Sequence, residues 1–155
     1  MAEAAEAPRM TPLDLRRHPP RGPRETLLGF YFLPRTIDKI RAELPGGNMG
    51  AYMNHDTGFS AYVVRRLNLQ MDELRRAVAD AGDEAALTQW LEARLNPRTA
   101  TAVNAKLETF VVERMKPEDQ QLVRSRHPVM SSRSDLTKIL DILEADDAMH
   151  GRELL

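Results

Sequence analysis

Apolar residues along this chain recur mostly at three- and four-residue spacing, the signature of helices packed by one face. Ile37, Ile40 and Leu44 follow Pro34, which suits a first helical turn because its missing N–H is not needed there, and Pro45-Gly46-Gly47-Asn48 breaks the pattern. Phe59, Tyr62, Val63 and Leu67 form a second stripe that Thr57 or Ser60 can cap, and Met71, Leu74 and Val78 form a third, stopped by Gly82. Asp83 caps a fourth, through Leu87, Trp90, Leu91 and Leu95, which ends at Asn96-Pro97. Val103, Leu107, Phe110, Val111 and Met115 give the longest stripe, so the spacing predicts one central helix reaching Lys116-Pro117. A short polar helix is expected from Pro117 to Arg126, then a break at His127-Pro128 and a Ser-rich stretch. Leu136, Ile139, Leu140 and Leu143 mark a final helix, with Glu144, Asp146 and Asp147 placed after it.

No segment sustains the period-two alternation of strands, and Glu25 to Phe32 is apolar but too short for periodicity to decide between a helix and a buried extended piece. The expectation is an all-α fold: a single compact domain of roughly six helices. It occupies residues 11–150, behind a disordered N-terminal arm at 1–10 that is rich in Ala, Glu and Pro. Between arm and helices, His18-Pro19-Pro20-Arg21-Gly22-Pro23-Arg24 is dense in proline and should run extended as a stiff cationic strap.

Composition narrows the chemistry by exclusion. The 155 residues contain no cysteine, which removes disulfide scaffolds, thiolate metal sites and cysteine nucleophiles together. No apolar run approaches the roughly 20 residues of a membrane span, and the N-terminus lacks an apolar signal region, so a soluble cytoplasmic protein without membrane contact is expected. The net charge of −1, from 22 basic and 23 acidic side chains, argues against nucleic acid as a partner bound by phosphate neutralisation. The charge is uneven, however. Arg16, Arg17, Arg21, Arg24, Arg35, Lys39 and Arg41 stand against only Glu25 and Asp38, a local excess of five positive charges.

The cations of Leu33-Pro34-Arg35-Thr36-Ile37-Asp38-Lys39-Ile40-Arg41 run against electrostatic preference. Arg35 and Lys39 lie four apart, where like charges repel by roughly 0.2–0.5 kcal/mol, and Arg35 sits near the positive end of the helix dipole. A nearby anion is required. One source is external: a pocket in which Arg35 and Lys39, helped by Arg21, Arg24, Asp38 and Arg41, hold a small anionic ligand through the planar guanidinium fork. The other is internal: Asp38, three residues from both Arg35 and Arg41, ties them into an ion network that anchors the strap.

A second candidate is the loop trio Tyr52, His55 and Asp56, which offers a phenol, an imidazole and a carboxylate for metal-independent acid/base catalysis, or simply an exposed polar loop. No metal or cofactor is expected, because His18, His55, His127 and His150 are scattered and no ligand-spacing motif is present. Ser131, Ser132 and Ser134 lack the nucleophile elbow of hydrolases, and Gly46-Gly47 lacks the Lys and Ser of a phosphate loop.

The runs Leu13-Asp14-Leu15-Arg16, Pro19-Pro20-Arg21, Pro23-Arg24, the helix-opening motif through Lys39, and Leu44-Pro45-Gly46-Gly47 together resemble a bacterial family of small uncharacterised proteins, a domain of unknown function. The resemblance extends roughly from Leu13 to Asp147 and takes in Asp83-Glu84, Trp90-Leu91 and Glu144-Ala145-Asp146-Asp147. It implies a soluble helical fold and brings no activity, cofactor or catalytic residue with it. The functional expectation is therefore binding of a small anionic molecule, with acid/base catalysis attached to it. The competing expectation is an interaction module whose basic strap docks an acidic partner protein and whose helices associate as a homodimer.

Overall fold

A computed structural model describes residues 9–52 and 58–153 of the chain. Among these, the fold is mostly helical, with one small sheet. Glu25 to Phe32 contains that sheet: β1 (Thr26–Leu27) pairs antiparallel with β2 (Phe30–Tyr31). The intervening Leu28 and Gly29 have φ of 54° and 84°, the positive values that a two-residue turn needs to match strand twist. Phe32, also left-handed at φ 71°, then swings the chain into α1 (Leu33–Glu43) with Pro34 in its first turn.

Helix α2 (Phe59–Arg66) starts after Gly58 rather than from a Thr57 or Ser60 cap, and Ser60 is left inside the helix, buried. Helix α3 (Met71–Asp80) opens on a capping box between Gln70 and Glu73. Helix α4 (Glu84–Glu92) opens on Asp83, whose carboxylate accepts the Ala86 N–H at 2.8 Å. A 3₁₀ turn at Pro97–Thr99 leads to α5 (Ala100–Glu108), and α6 (Pro117–Arg126) matches its expected bounds.

Three expectations need correction. First, the long stripe from Val103 to Met115 is not one helix: α5 ends at Glu108, and the chain extends so that Val111 bridges Lys138, the Val112 N–H donating to the Thr137 carbonyl at 2.9 Å. The Ile139 N–H donates in turn to the Phe110 carbonyl at 3.0 Å. Side-chain spacing survives, but β-branched Val111 takes the extended form, a 3₁₀ turn follows at Val112–Arg114, and the backbone of Phe110 and Val112 finds its partners across the chain. Second, α7 (Ile139–Glu153) begins after Leu136 and runs straight through Glu144, Asp146 and Asp147, making it the longest helix described. Within it, Glu144 pairs with Arg24 and Asp147 with Arg35 from the other end of the chain, while Asp146 faces His127 and His150. Third, ordered contacts begin inside the stretch assigned to the arm: Met10 is buried and its N–H donates to the Ala81 carbonyl at 3.2 Å.

The main core gathers Leu33, Ile37 and Ile40 of α1 with Val63 and Val64 of α2, Leu74 and Val78 of α3, Leu87 and Leu91 of α4, and Leu107 of α5. A smaller core, Val112, Val129, Met130, Leu136, Ile139 and Ile142, lies under the C-terminal helices. Phe59, Phe110 and Leu143 touch both cores and form the seam between them. No helix among the described residues is long and apolar enough to cross a membrane.

Candidate functional site

A cavity of about 440 Å³ opens at this seam, walled by α1, the start of α2, the turn at His127–Val129 and α7. Phe32, Phe59, Val129 and Leu143 give it an apolar floor, while Arg35, Lys39, Tyr52, Ser60, His127, Asp146 and His150 supply polar groups. Such a mixture of apolar lining and few convergent polar groups suits a small ligand. Helix α1 is buried along most of its length, so Arg35 (1% exposed) and Lys39 (8%) are taken out of water with it.

The two cations are treated differently. Arg35 donates from Nη1 to Asp147 Oδ2 at 2.6 Å and from Nη2 to Asp147 Oδ1 at 3.1 Å, a two-point fork, and its Nη1 also reaches the Arg21 carbonyl at 3.3 Å. The Tyr52 hydroxyl donates to the same Asp147 Oδ1 at 3.0 Å. Burial, reinforced by the Asp147 charge, pushes the Tyr52 phenol well above its ordinary value, so it remains a hydrogen-bond donor. The Arg35 guanidinium also lies 5.8 Å from the Phe32 ring centre and 5.5 Å from that of Tyr52. Its buried Nε–H has no hydrogen-bond partner among the described residues.

Lys39 has no such acid among the described residues. Its Nζ donates to Ser60 Oγ at 2.8 Å and lies 5.5 Å from the Phe32 ring centre, with no carboxylate at ion-pair distance among the described residues. Burial and the neighbouring Arg35 charge lower its ammonium to about 7, against a weaker opposing pull from Asp147 and Glu43. The left-handed Phe32, a costly conformation for a bulky residue, places its ring beside both cations.

Asp146 faces the other side of the cavity. Its Oδ2 lies 3.2 Å from His127 Nδ1 and 3.5 Å from His150 Nε2. His127 Nδ1 is buried and out of line for a hydrogen bond to it. The His150 ring stands 5.3 Å from Tyr52, so adjacent Asp146 and Asp147 serve separate groups that meet around one space. Among the described residues, no group of three or more His, Cys, Asp or Glu is placed to hold a metal ion.

The structure sorts the sequence-predicted residues into two places. Arg35, Lys39 and Tyr52 line the cavity. Arg21, Arg24, Asp38 and Arg41 do not. Arg21 clamps Asp38 through its backbone N–H at 2.8 Å and its guanidinium at 3.0 Å, and reaches Glu84 of α4. Arg24 binds Glu108 of α5 at 2.7 Å together with Asp141 at 2.8 Å and Glu144 of α7. Arg41 donates to the Thr11 carbonyl at 2.8 Å. The expected network in which Asp38 joins Arg35 to Arg41 is therefore corrected: Asp38 binds Arg21, and Arg35 takes its acid from α7. His55 and Asp56 lie outside the described residues. Sequence reasoning passed over Ser60, His127, Asp146, Asp147 and His150. The only available signal for the acids was their position in a helix-forming run beyond Leu143, which charge alone made to look like a helix end.

The family model described as Domain of unknown function (DUF5069) matches residues 17–149, a span that includes every described polar residue of the cavity except His150. No curated protein matches the chain.

Proposed function

The chain belongs to the family of this domain of unknown function, DUF5069, and from that premise we propose that the cavity beside α1 binds a small anionic molecule. One observation carries the reading: Lys39 is a buried, cavity-lining cation whose one hydrogen-bond partner among the described residues is a hydroxyl, whereas its neighbour Arg35 has a dedicated carboxylate. A desolvated ammonium without a counter-ion is unfavourable, and an anion entering the cavity supplies the missing charge. Such a ligand raises the Lys39 ammonium from about 7, so binding takes up a proton and weakens as pH rises. Acid/base catalysis belongs to the same reading, with Tyr52, His127 and His150 around the cavity as the groups to test.

The alternative, an acidic partner docking on the basic N-terminal segment, draws less support. Arg21 and Arg24 are committed to five carboxylates of the chain itself, and Arg16 and Arg17 share Asp14.

The test is thermal unfolding against carboxylates, phosphates and sulfates. At least one anion should raise the melting temperature, with about 2.7 kcal/mol of stabilisation expected at a hundredfold excess over Kd. Lys39→Met should abolish the response, and pH 9 should diminish it relative to pH 6. A response that survives Lys39→Met but falls stepwise with Arg16→Ala and Arg17→Ala would transfer the function to the surface segment.

A further inference from the structure

Anion binding alone does not call for a lysine in this position. An arginine holds carboxylate or phosphate by two points and keeps its charge when buried, and α1 already places one a turn away, at Arg35. What lysine adds is an amine that becomes a nucleophile once its proton is gone. That loss is favoured by an apolar setting and an adjacent cation, and both are present at Lys39. Its wall of the cavity includes Phe32 and Phe59, Arg35 lies one turn back on the same helix, and no carboxylate among the described residues lies at ion-pair distance from its ammonium.

We propose that Lys39 is an imine-forming residue, and that the cavity takes a small anionic carbonyl compound of the oxo-acid class, whose carbonyl carbon condenses with Nζ. The proposal rests on the anion-binding reading and specifies its substrate class. In the step, the Nζ lone pair attacks the carbonyl carbon and the C=O π electrons move to oxygen. A proton passes from nitrogen to that oxygen, giving a neutral carbinolamine. Protonation of its hydroxyl then releases water as the nitrogen lone pair forms the C=N bond. Amine, carbonyl and one proton drawn from solvent thus yield the protonated imine and water, without oxidant or reductant.

The surroundings suit each stage. When the amine is neutral, donating one N–H to Ser60 Oγ leaves its lone pair for the carbonyl, and the same hydroxyl, at 2.8 Å, is placed to relay the proton. The protonated imine carries its charge where the ammonium did, within reach of the Phe32 ring face. Arg35, on the same wall, adds positive charge that favours the carboxylate of the oxo acid. With its ammonium at about 7, Lys39 is neutral in a large fraction of molecules at physiological pH, where an ordinary lysine is almost wholly charged.

Reductive trapping tests this directly, because the chain has only four lysines, Lys39, Lys106, Lys116 and Lys138. The intact chain is incubated at pH 7.5 with glyoxylate, and separately with pyruvate, in the presence of cyanoborohydride, and adducts are located by peptide mass mapping. One secondary-amine adduct per chain is expected at Lys39, with labelling ahead of exposed Lys106 and Lys116 by at least about tenfold. Lys39→Arg, which keeps a cation in the cavity, should lose that adduct and leave labelling of the other three unchanged. Adducts spread over the exposed lysines without enrichment at Lys39, from both probes, would overturn the imine assignment. The two readings separate cleanly: if acetate or phosphate stabilises the wild type through Lys39 while trapping fails, anion binding stands and the imine falls. If neither occurs, both fall.

Discussion

Seven basic side chains crowd residues 16–41, and the turn into α1 divides them into two populations. Before it, Arg21 and Arg24 sit in an irregular segment on the surface and reach outward to carboxylates on α1, α4, α5 and α7, stitching four helices together. Within it, Arg35 and Lys39 are buried in one wall of a cavity, where Arg35 pairs with Asp147 and Lys39 has no carboxylate at ion-pair distance among the described residues. In sequence the two groups look alike. Their difference separates the cations that tie the helices together from the one that the anion-binding proposal rests on.

The sharpest way to break this comparison is at its most heavily paired member. Arg35→Met strands Asp147 in a buried position with Tyr52 as its remaining hydrogen-bond donor, and removing one partner of such a pair is expected to cost about 3–5 kcal/mol. Urea unfolding would show the midpoint falling accordingly. Adding Asp147→Leu should recover part of the loss, since no uncompensated charge then stays buried. If the single substitution were harmless, Arg35 would not be architecture, and the division between the two cations would collapse.

How far this was legible beforehand follows from the range of each interaction. Helix starts set by short-range chemistry could be read directly: Pro34, the Asp83 cap, the stop at Asn96-Pro97 and the bounds of α6 all depend on residues within one turn. The hairpin at Thr26–Tyr31 escaped because it spans two residues per strand, too few for alternation to register. Asp147 escaped for a different reason: it binds Arg35 across 112 positions, and sequence spacing carries no information at that distance. Asp38 looked like the partner of Arg35 and Arg41 on helical spacing, yet buried acids choose by three-dimensional approach, and Arg21 arrives from outside the helix. Arg35 and Lys39 could be selected as an electrostatic oddity of α1, while the difference between them could not.

A second, smaller effect has the opposite sign and belongs to Lys39. Its ammonium is lowered to about 7 in the folded protein against an ordinary value of 10.5, so between those values the unfolded chain binds more protons than the native one. Stability therefore climbs as pH rises from about 7 toward 10.5, and this group contributes no slope below about 7. Lys39→Met should flatten that climb and leave the protein more stable than wild type at pH 7, by about 1–3 kcal/mol once the lost Ser60 hydrogen bond is discounted. Urea midpoints of both proteins at pH 7 and pH 9.5 measure the difference. A substitution that stabilises the fold while removing the ligand response is the signature of a residue kept for chemistry at the expense of stability.

The smallest effects lie in the surface segment, and they sharpen the comparison by grading it. Arg24 is about one quarter exposed and bridges Glu108, Asp141 and Glu144, so Arg24→Ala releases the tie between α5 and α7 and should cost about 1 kcal/mol after allowance for solvent screening. Because those carboxylates are partly in water, the cost should shrink in 1 M salt. Arg16, more exposed still and paired with Asp14 among the described residues, should leave the unfolding midpoint unchanged on mutation to alanine at any salt concentration. Buried Arg35–Asp147 should be nearly insensitive to salt, since its partners are shielded from mobile ions. Midpoints of the three variants in low and high salt thus rank the cations by the water they share, and a surface segment that proved as salt-insensitive as Arg35 would mean that it, too, is enclosed by something other than solvent.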